Sequence, residues 1–187
     1  MRWRLFGKSA TRVRETELSE YQAQLEAAAQ RDAATGSWPV LQNGLLGRLS
    51  ARANELALTE DDGAIELEML DGLQQLSALV ESVKRDGLPT VETQHRVIAG
   101  ETCRFSAPAT RLGESTGADG TSGRLFLTDR RVVFLGPSVI SAAWSSFAVV
   151  GRSGRDLVLA GASRRFQFRL NTFADAMRAA WLSERLR

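Results

Sequence analysis

The stretch GRLFLTDRRVVFLG, residues 123–136, decides how the second half of the chain reads. Leu125, Phe126 and Leu127 make one short apolar run, and Val132, Val133, Phe134 and Leu135 make another. Between them stand Thr128, Asp129 and Arg130; Thr and Asp side chains hydrogen-bond nearby backbone and so favour a corner. Two such runs across so short a connection predict an antiparallel pair of strands. The same rhythm continues on both sides, with a turn signal about every eight to twelve residues, the mark of an all-β sandwich or barrel. Strands are predicted over 102–111, 123–128, 131–136, 139–143, 145–151, 156–160 and 164–170. In the last of these Phe166, Phe168 and Leu170 alternate with Arg165, Gln167 and Arg169, which sets the core side. The longest connection, 113–122, lies between the first two strands.

Beyond the strands, Thr172-x-x-Asp175 resembles a capping box and opens a final helix in which Phe173, Met177, Ala180 and Trp181 share a face. Before the strands the period changes to that of helices. Leu18, Tyr21, Leu25 and Ala28 mark one helix over 15–34. Leu41, Leu45, Leu49, Ala53 and Leu56 mark a second. Ile65, Met69, Leu73, Leu76, Val80 and Val83 mark a third, which Gly87 and Pro89 end. Asp61, Asp62, Glu66 and Glu68 gather near the start of the third helix, where its dipole favours them. The spacing does not sustain a strict heptad, so these stripes are expected to pack on one another or on the second half.

Composition removes several classes. The chain has 187 residues, 43% hydrophobic and 25% charged, which argues against a disordered, collagenous or disulfide-scaffolded chain. Cys103 is the only cysteine and His95 the only histidine, so an internal disulfide and a cysteine-based zinc site are excluded and metal chemistry has few ligands. No stretch approaches the roughly 20 apolar residues of a membrane-spanning helix, and the start lacks the apolar core of a secretory signal. These features are expected of a cytoplasmic protein. The net charge of +2 conceals three segments. Residues 1–14 carry five basic and no acidic side chains, 15–94 carry five basic and fifteen acidic, and 95–187 carry fourteen basic and seven acidic. The basic portions are suited to an anionic partner, or to the protein's own acidic portion.

Seven short strands followed by one amphipathic helix, together with GRLFLTDRRVVFLG, the Gly-Glu opening of AGETCRFSAPATRL (99–112) and the closing FADAMRAAWLSERL with its Trp, resemble bacterial pleckstrin-homology-like and GRAM-like domains. The resemblance covers residues 97–187. It implies for those residues a seven-stranded bent antiparallel β-barrel capped by a C-terminal helix; with the basic segment 1–14 and the acidic helical region 15–90 of about three helices read from charge and period, an α+β chain is expected. It also implies docking on a protein partner or an anionic membrane lipid. In lipid-binding members, basic residues beside the loop joining the first two strands grip headgroup phosphates. Here that loop carries Glu114 and Asp119 and no basic residue, while Arg111 and Arg124 flank it and Arg104 shares a strand with Arg111.

A second basic group, Arg130, Arg131, Arg152 and Arg155, with Arg164 and Arg165, falls at or beside predicted turns and so near solvent. Arg104, Arg111, Arg124, Arg130, Arg131, Arg152 and Arg155 are the candidates for contact with an anionic partner. At the N-terminus Trp3, Leu5 and Phe6 stand among Arg2, Arg4 and Lys8, a combination suited to a segment lying in lipid headgroups at the inner face of the membrane. Aromatics are not interleaved with the C-terminal arginines as a single-strand nucleic-acid platform requires. No nucleophile elbow or paired acid/base set is legible, so no catalytic residue, cofactor or metal is assigned. The expected function is a noncatalytic adaptor. The alternative is a protein-interaction scaffold, self-associating through its N-terminal helices, whose basic barrel is covered by the acidic helices.

Overall fold

A computed structural model of the chain describes residues 6–32, 34–113 and 120–187, with side chains from residue 12 onward. The chain divides into two compact units, Met1–Gln74 and Gln75–Arg187.

The first unit is helical. α1 (Phe6–Ala28) begins earlier than the 15–34 expected, because nothing in residues 6–14 breaks a helix, and it ends earlier too. There the Asp32 carboxylate accepts the backbone N–H groups of Ala34 (2.7 Å) and Thr35 (3.1 Å), fixing a turn in place of a further helical turn. Leu41 belongs to a separate 3-10 turn, Pro39–Leu41, and α2 spans Leu45–Glu55. α3 (Glu60–Asp86) is interrupted at Gly63, whose backbone is not helical, and the boundary between the units falls within it. Tyr21, Leu25 and Ala28 of α1 and Leu49, Ala53 and Leu56 around α2 are buried as their spacing requires. The Tyr21 hydroxyl donates to the Leu49 carbonyl at 3.0 Å. Ile65, expected on the apolar stripe of α3, is instead half exposed beside the break, while Met69 and Leu73 are buried.

The second unit contains seven antiparallel strands: β1 (Cys103–Arg111), β2 (Thr121–Thr128), β3 (Arg131–Leu135), β4 (Val139–Ala143), β5 (Val149–Ser153), β6 (Asp156–Ala160) and β7 (Arg165–Leu170). Their order is β4-β3-β2-β1-β7-β6-β5. The expected barrel is therefore an open sheet in its hydrogen bonding, with β4 and β5 as its two edges. Residues 145–148 do not extend β5 as the sequence suggested. The 3-10 turn Trp144–Ser146 occupies this link, and it buries the Trp144 and Phe147 rings instead of pairing backbone with β4. α4 (Phe173–Leu186) opens at Thr172, whose hydroxyl accepts from the Asp175 N–H at 3.1 Å, and packs against β1, β2, β5, β6 and β7. It buries Met177, Ala180 and Trp181.

β2 is buried continuously over residues 125–128 rather than alternately. Side chains of successive strand residues point to opposite faces, so both faces must be covered here. Leu125 and Leu127 face the core under α4's side of the sheet with Phe105 and Phe134, all buried. Phe126 and its register partner Val133 point the other way and join Ile98, Cys103, Val91 and Val97 in a separate apolar cluster. The segment 88–101, which reads in sequence as a connector, is thus a strap over the outer face of β2 and β3. Gly123 permits the close approach of β2 to β3, since a Cβ there would lie 2.2 Å from the Leu135 carbonyl oxygen.

Candidate docking surface

The corner that decides the fold is also an electrostatic knot. Thr128, fully buried, accepts the backbone N–H groups of Arg131 (3.0 Å) and Arg130 (3.2 Å), which closes the turn. Its hydroxyl donates to Glu101 Oε2 at 2.6 Å. The Glu101 carboxylate receives Arg131 Nε at 2.8 Å and Nη2 at 2.6 Å, and Nη2 also donates to the Val97 carbonyl at 2.9 Å. Burial alone would raise the Glu101 carboxyl, but the hydrogen bonds from Arg131 and Thr128 and the charges of Arg131 and Arg130 outweigh it and hold the group below its ordinary value. The Trp144 indole N–H donates to the Thr128 carbonyl at 2.8 Å, tying the 3-10 turn to the same corner.

The arginines singled out by sequence fall into four environments. Arg131 is committed to Glu101 and the strap. Arg104 clasps the other end of the strap, its Nη1 donating to the carbonyls of Leu88 (3.1 Å) and Pro89 (3.2 Å) and lying 3.1 Å from Thr90 Oγ1. Arg124 lies opposite Pro108 and donates to Ser106 Oγ at 3.1 Å, on the same outer face as Arg104. Arg152 and Arg155 stand at the β5–β6 hairpin. There Arg152 donates to the Gly154 carbonyl and the Arg155 guanidinium lies 4.9 Å from the centre of the Phe173 ring at the start of α4.

The fourth environment is a basic rim. The Arg111 guanidinium lies 5.9 Å over Phe166, which meets Phe147 edge-on at 5.9 Å, which in turn meets Trp144 at 6.3 Å. The Trp144 N–H reaches the Arg130 carbonyl at 3.4 Å. On the far side of this turn Gly161 abuts Ser146, where a Cβ would lie 1.9 Å from the Ser146 carbonyl oxygen, and its N–H donates to the Arg164 carbonyl at 2.8 Å. The Arg111 guanidinium and the backbone carbonyls of Arg130 and Arg164 thus lie along one string of buried rings, and Arg165 precedes Phe166 on β7. Arg130, Arg164 and Arg165 are exposed, and no described carboxylate forms an ion pair with any of the four. Glu101 is engaged with Arg131, and Asp156 with Arg169, whose Nε and Nη2 donate at 2.8 and 3.0 Å, while Asp129 next to Arg130 accepts the Thr102 N–H at 3.0 Å. Burial would raise Asp156 as well, yet the Arg169 and Gln167 donors keep it below its usual range.

The sequence groups Arg130, Arg131, Arg152, Arg155, Arg164 and Arg165 together; in the structure Arg131 is held by Glu101, Arg152 and Arg155 stand at the β5–β6 hairpin, and Arg130, Arg164 and Arg165 are exposed. The strap and its two arginine clasps were missed. Val91, Val97 and Ile98 were the signal, three apolar residues in a segment that needs none as a connector. His95 meets Phe126 edge-on at 5.2 Å. The loop residues 114–119, and the expected membrane contacts Trp3, Leu5 and the Phe6 side chain, lie outside the described residues. Arg14, from the basic N-terminal segment, pairs with Asp62 at 2.8 Å. Among the described residues no three His, Cys, Asp or Glu side chains converge to hold a metal, and no helix is long and apolar enough to cross a membrane.

No family model and no curated protein matches the chain. Solved structures to which it is similar include the C-terminal domain of an unknown protein from Leishmania infantum, at 17% identity over 57% of this chain and 97% of that one, with a TM-score of 0.40. The N-terminal PH domain of human ARAP2 follows at 11% identity over 44% and 76%, TM-score 0.41. The Vps36 N-terminal PH domain is 20% identical over 52% and 90%, TM-score 0.41. Pleckstrin-homology domains are thus among the structures that this chain resembles in outline, and the α+β fold itself stands on the strand order and the terminal helix.

Proposed function

We propose that the unit Gln75–Arg187 is a noncatalytic docking module whose Arg111, Arg130, Arg164 and Arg165 rim takes an anionic membrane surface. The observation that supports this reading is the surplus of charge. Arg111, Arg130, Arg164 and Arg165 form no ion pair with a described carboxylate, while Glu101 and Asp156 are paired with Arg131 and Arg169. The rings themselves are buried, so attraction is electrostatic rather than insertive. At about 1 kcal/mol per basic residue near an anionic leaflet, four arginines supply about 4 kcal/mol, roughly a thousandfold in partitioning.

Co-sedimentation of the full chain with phosphatidylcholine vesicles, with and without phosphatidylserine, tests it. The chain is expected to pellet only with the anionic vesicles, and R130E/R164E/R165E is expected to stay in solution. Undiminished pelleting of the triple variant overturns the rim. Absence of vesicle binding at low salt favours a protein partner in place of lipid.

A further inference from the structure

The second unit holds a cavity of about 390 Å³ that the docking reading does not use. Its floor is β1, through Arg104, Phe105 and Ser106, and its walls are the C-terminal half of α3, the start of the strap, and α4 through Arg178 and Leu182. The volume falls at the lower end of the ~300–1,000 Å³ typical of small-molecule sites. Leu79, Phe105 and Leu182 give it an apolar body, whereas its charged lining residues are two arginines and no carboxylate.

The two arginines are unevenly satisfied. Nη1 of Arg104 is spent on the strap, but Arg104 Nε is buried and finds no hydrogen-bond partner among the described residues. That nitrogen is closed to solvent, so Arg104 acts on the cavity through its positive charge rather than through this donor. Arg178 crosses from α4 with its guanidinium 5.8 Å from the Phe105 ring centre. Among the described residues its polar contacts are a long 3.4 Å one to Gln75 and a 4.0 Å approach to Asp175 on its own helix. Arg124 adds a third positive charge at the margin through Ser106, which lines the cavity. Guanidinium groups bind carboxylate and phosphate through a planar fork.

From this geometry we infer that the cavity is a binding site for a small oxyanion, carboxylate or phosphate, carried on an apolar body of about one ring. Arg104 and Arg178 take the anionic group and the Leu79, Phe105 and Leu182 side chains enclose the body. The site is distinct from the rim, for Arg104 and Phe105 lie at the start of β1, whereas Arg111 lies at its end.

Isothermal titration of the full chain with phenyl phosphate, benzoate, inorganic phosphate and benzyl alcohol tests the inference without vesicles. Phenyl phosphate or benzoate is expected to bind saturably. Inorganic phosphate is expected to bind at least about tenfold more weakly, and benzyl alcohol not at all. R178Q is expected to weaken the bound aryl anion about tenfold with the unfolding temperature unchanged, and L79W to abolish it by filling the cavity. Because Arg104 also holds the strap, R104K is read only with its unfolding curve. Absence of binding by both aryl anions, equal affinity for phenyl phosphate and inorganic phosphate, or R178Q binding like the parent chain overturns the inference. None of these outcomes depends on the rim arginines.

Discussion

Replacing Glu101 with Ala removes the carboxylate on which the second unit's corner and strap converge. Its side chain is only 8% exposed and its partner Arg131 is 33% exposed, so the pair lies between two limits. Exposed pairs contribute about 0–1 kcal/mol, and breaking a fully buried pair costs about 3–5 kcal/mol. The loss of the Thr128 hydroxyl's acceptor adds little, because that hydroxyl also lies 2.9 Å from the Arg131 carbonyl and turns to it. The expected cost is about 2 kcal/mol for E101A and about 1 kcal/mol for E101Q, which keeps an acceptor. Urea unfolding followed by circular dichroism and tryptophan fluorescence reads this as a midpoint lowered by about 1 M at a slope of about 2 kcal/mol/M. A cycle with Arg131→Met is expected to return a coupling of about 1–2 kcal/mol. The folded Glu101 pKa lies below its ordinary value of 4.5, so the unfolded chain binds protons more readily. The pair's contribution is complete above that value and fades as pH falls through 4.5 toward the folded pKa; E101Q removes this component of acid sensitivity. A destabilisation below about 0.5 kcal/mol for E101A, or a coupling near zero, refutes the clasp.

Gly161→Ala forces a Cβ against the Ser146 carbonyl oxygen, a backbone atom that cannot rotate away, and is expected to cost about 1–3 kcal/mol in the same unfolding assay. Asp156→Asn breaks the Arg169 fork from a buried carboxylate; with Arg169 itself 60% exposed, the expected loss is about 1–2 kcal/mol, absent below the pH at which Asp156 protonates. In the first unit, the Thr59 N–H, the Arg14 guanidinium and the Thr59 hydroxyl hold Asp62 at a pKa of about 2. NMR titration of the Asp62 carboxyl is expected to move toward the ordinary value of 3.8 in Arg14→Gln, although Thr59 still holds part of the shift.

The strands and the closing helix were legible because alternation and turn chemistry act locally. Phe166, Phe168 and Leu170 are all buried, and Thr172 caps α4 through Asp175. The open sheet was not legible, because Trp144 and Phe147 carry the composition of a strand, and only the tertiary bond from Trp144 to Thr128 makes their segment a turn. The strap was hidden for a similar reason: Val91 and Ile98 find Phe126 and Val133 across long sequence separations. Arginine roles were the least legible. Arg130 and Arg131 are neighbours of one residue type, yet one faces solvent and the other is clasped by Glu101, and no local pattern distinguishes them. The cavity at Arg104 and Arg178 joins strand and helix residues brought together only by folding.

The most direct test of the central claim is the salt dependence of the chain's partitioning onto phosphatidylserine-containing vesicles. Attraction through the four rim arginines predicts tight association at low ionic strength that declines steeply as the Debye length shrinks to about 10 Å at 0.1 M salt and beyond. Partitioning that is unchanged across that range, or absent at its lowest salt, contradicts it.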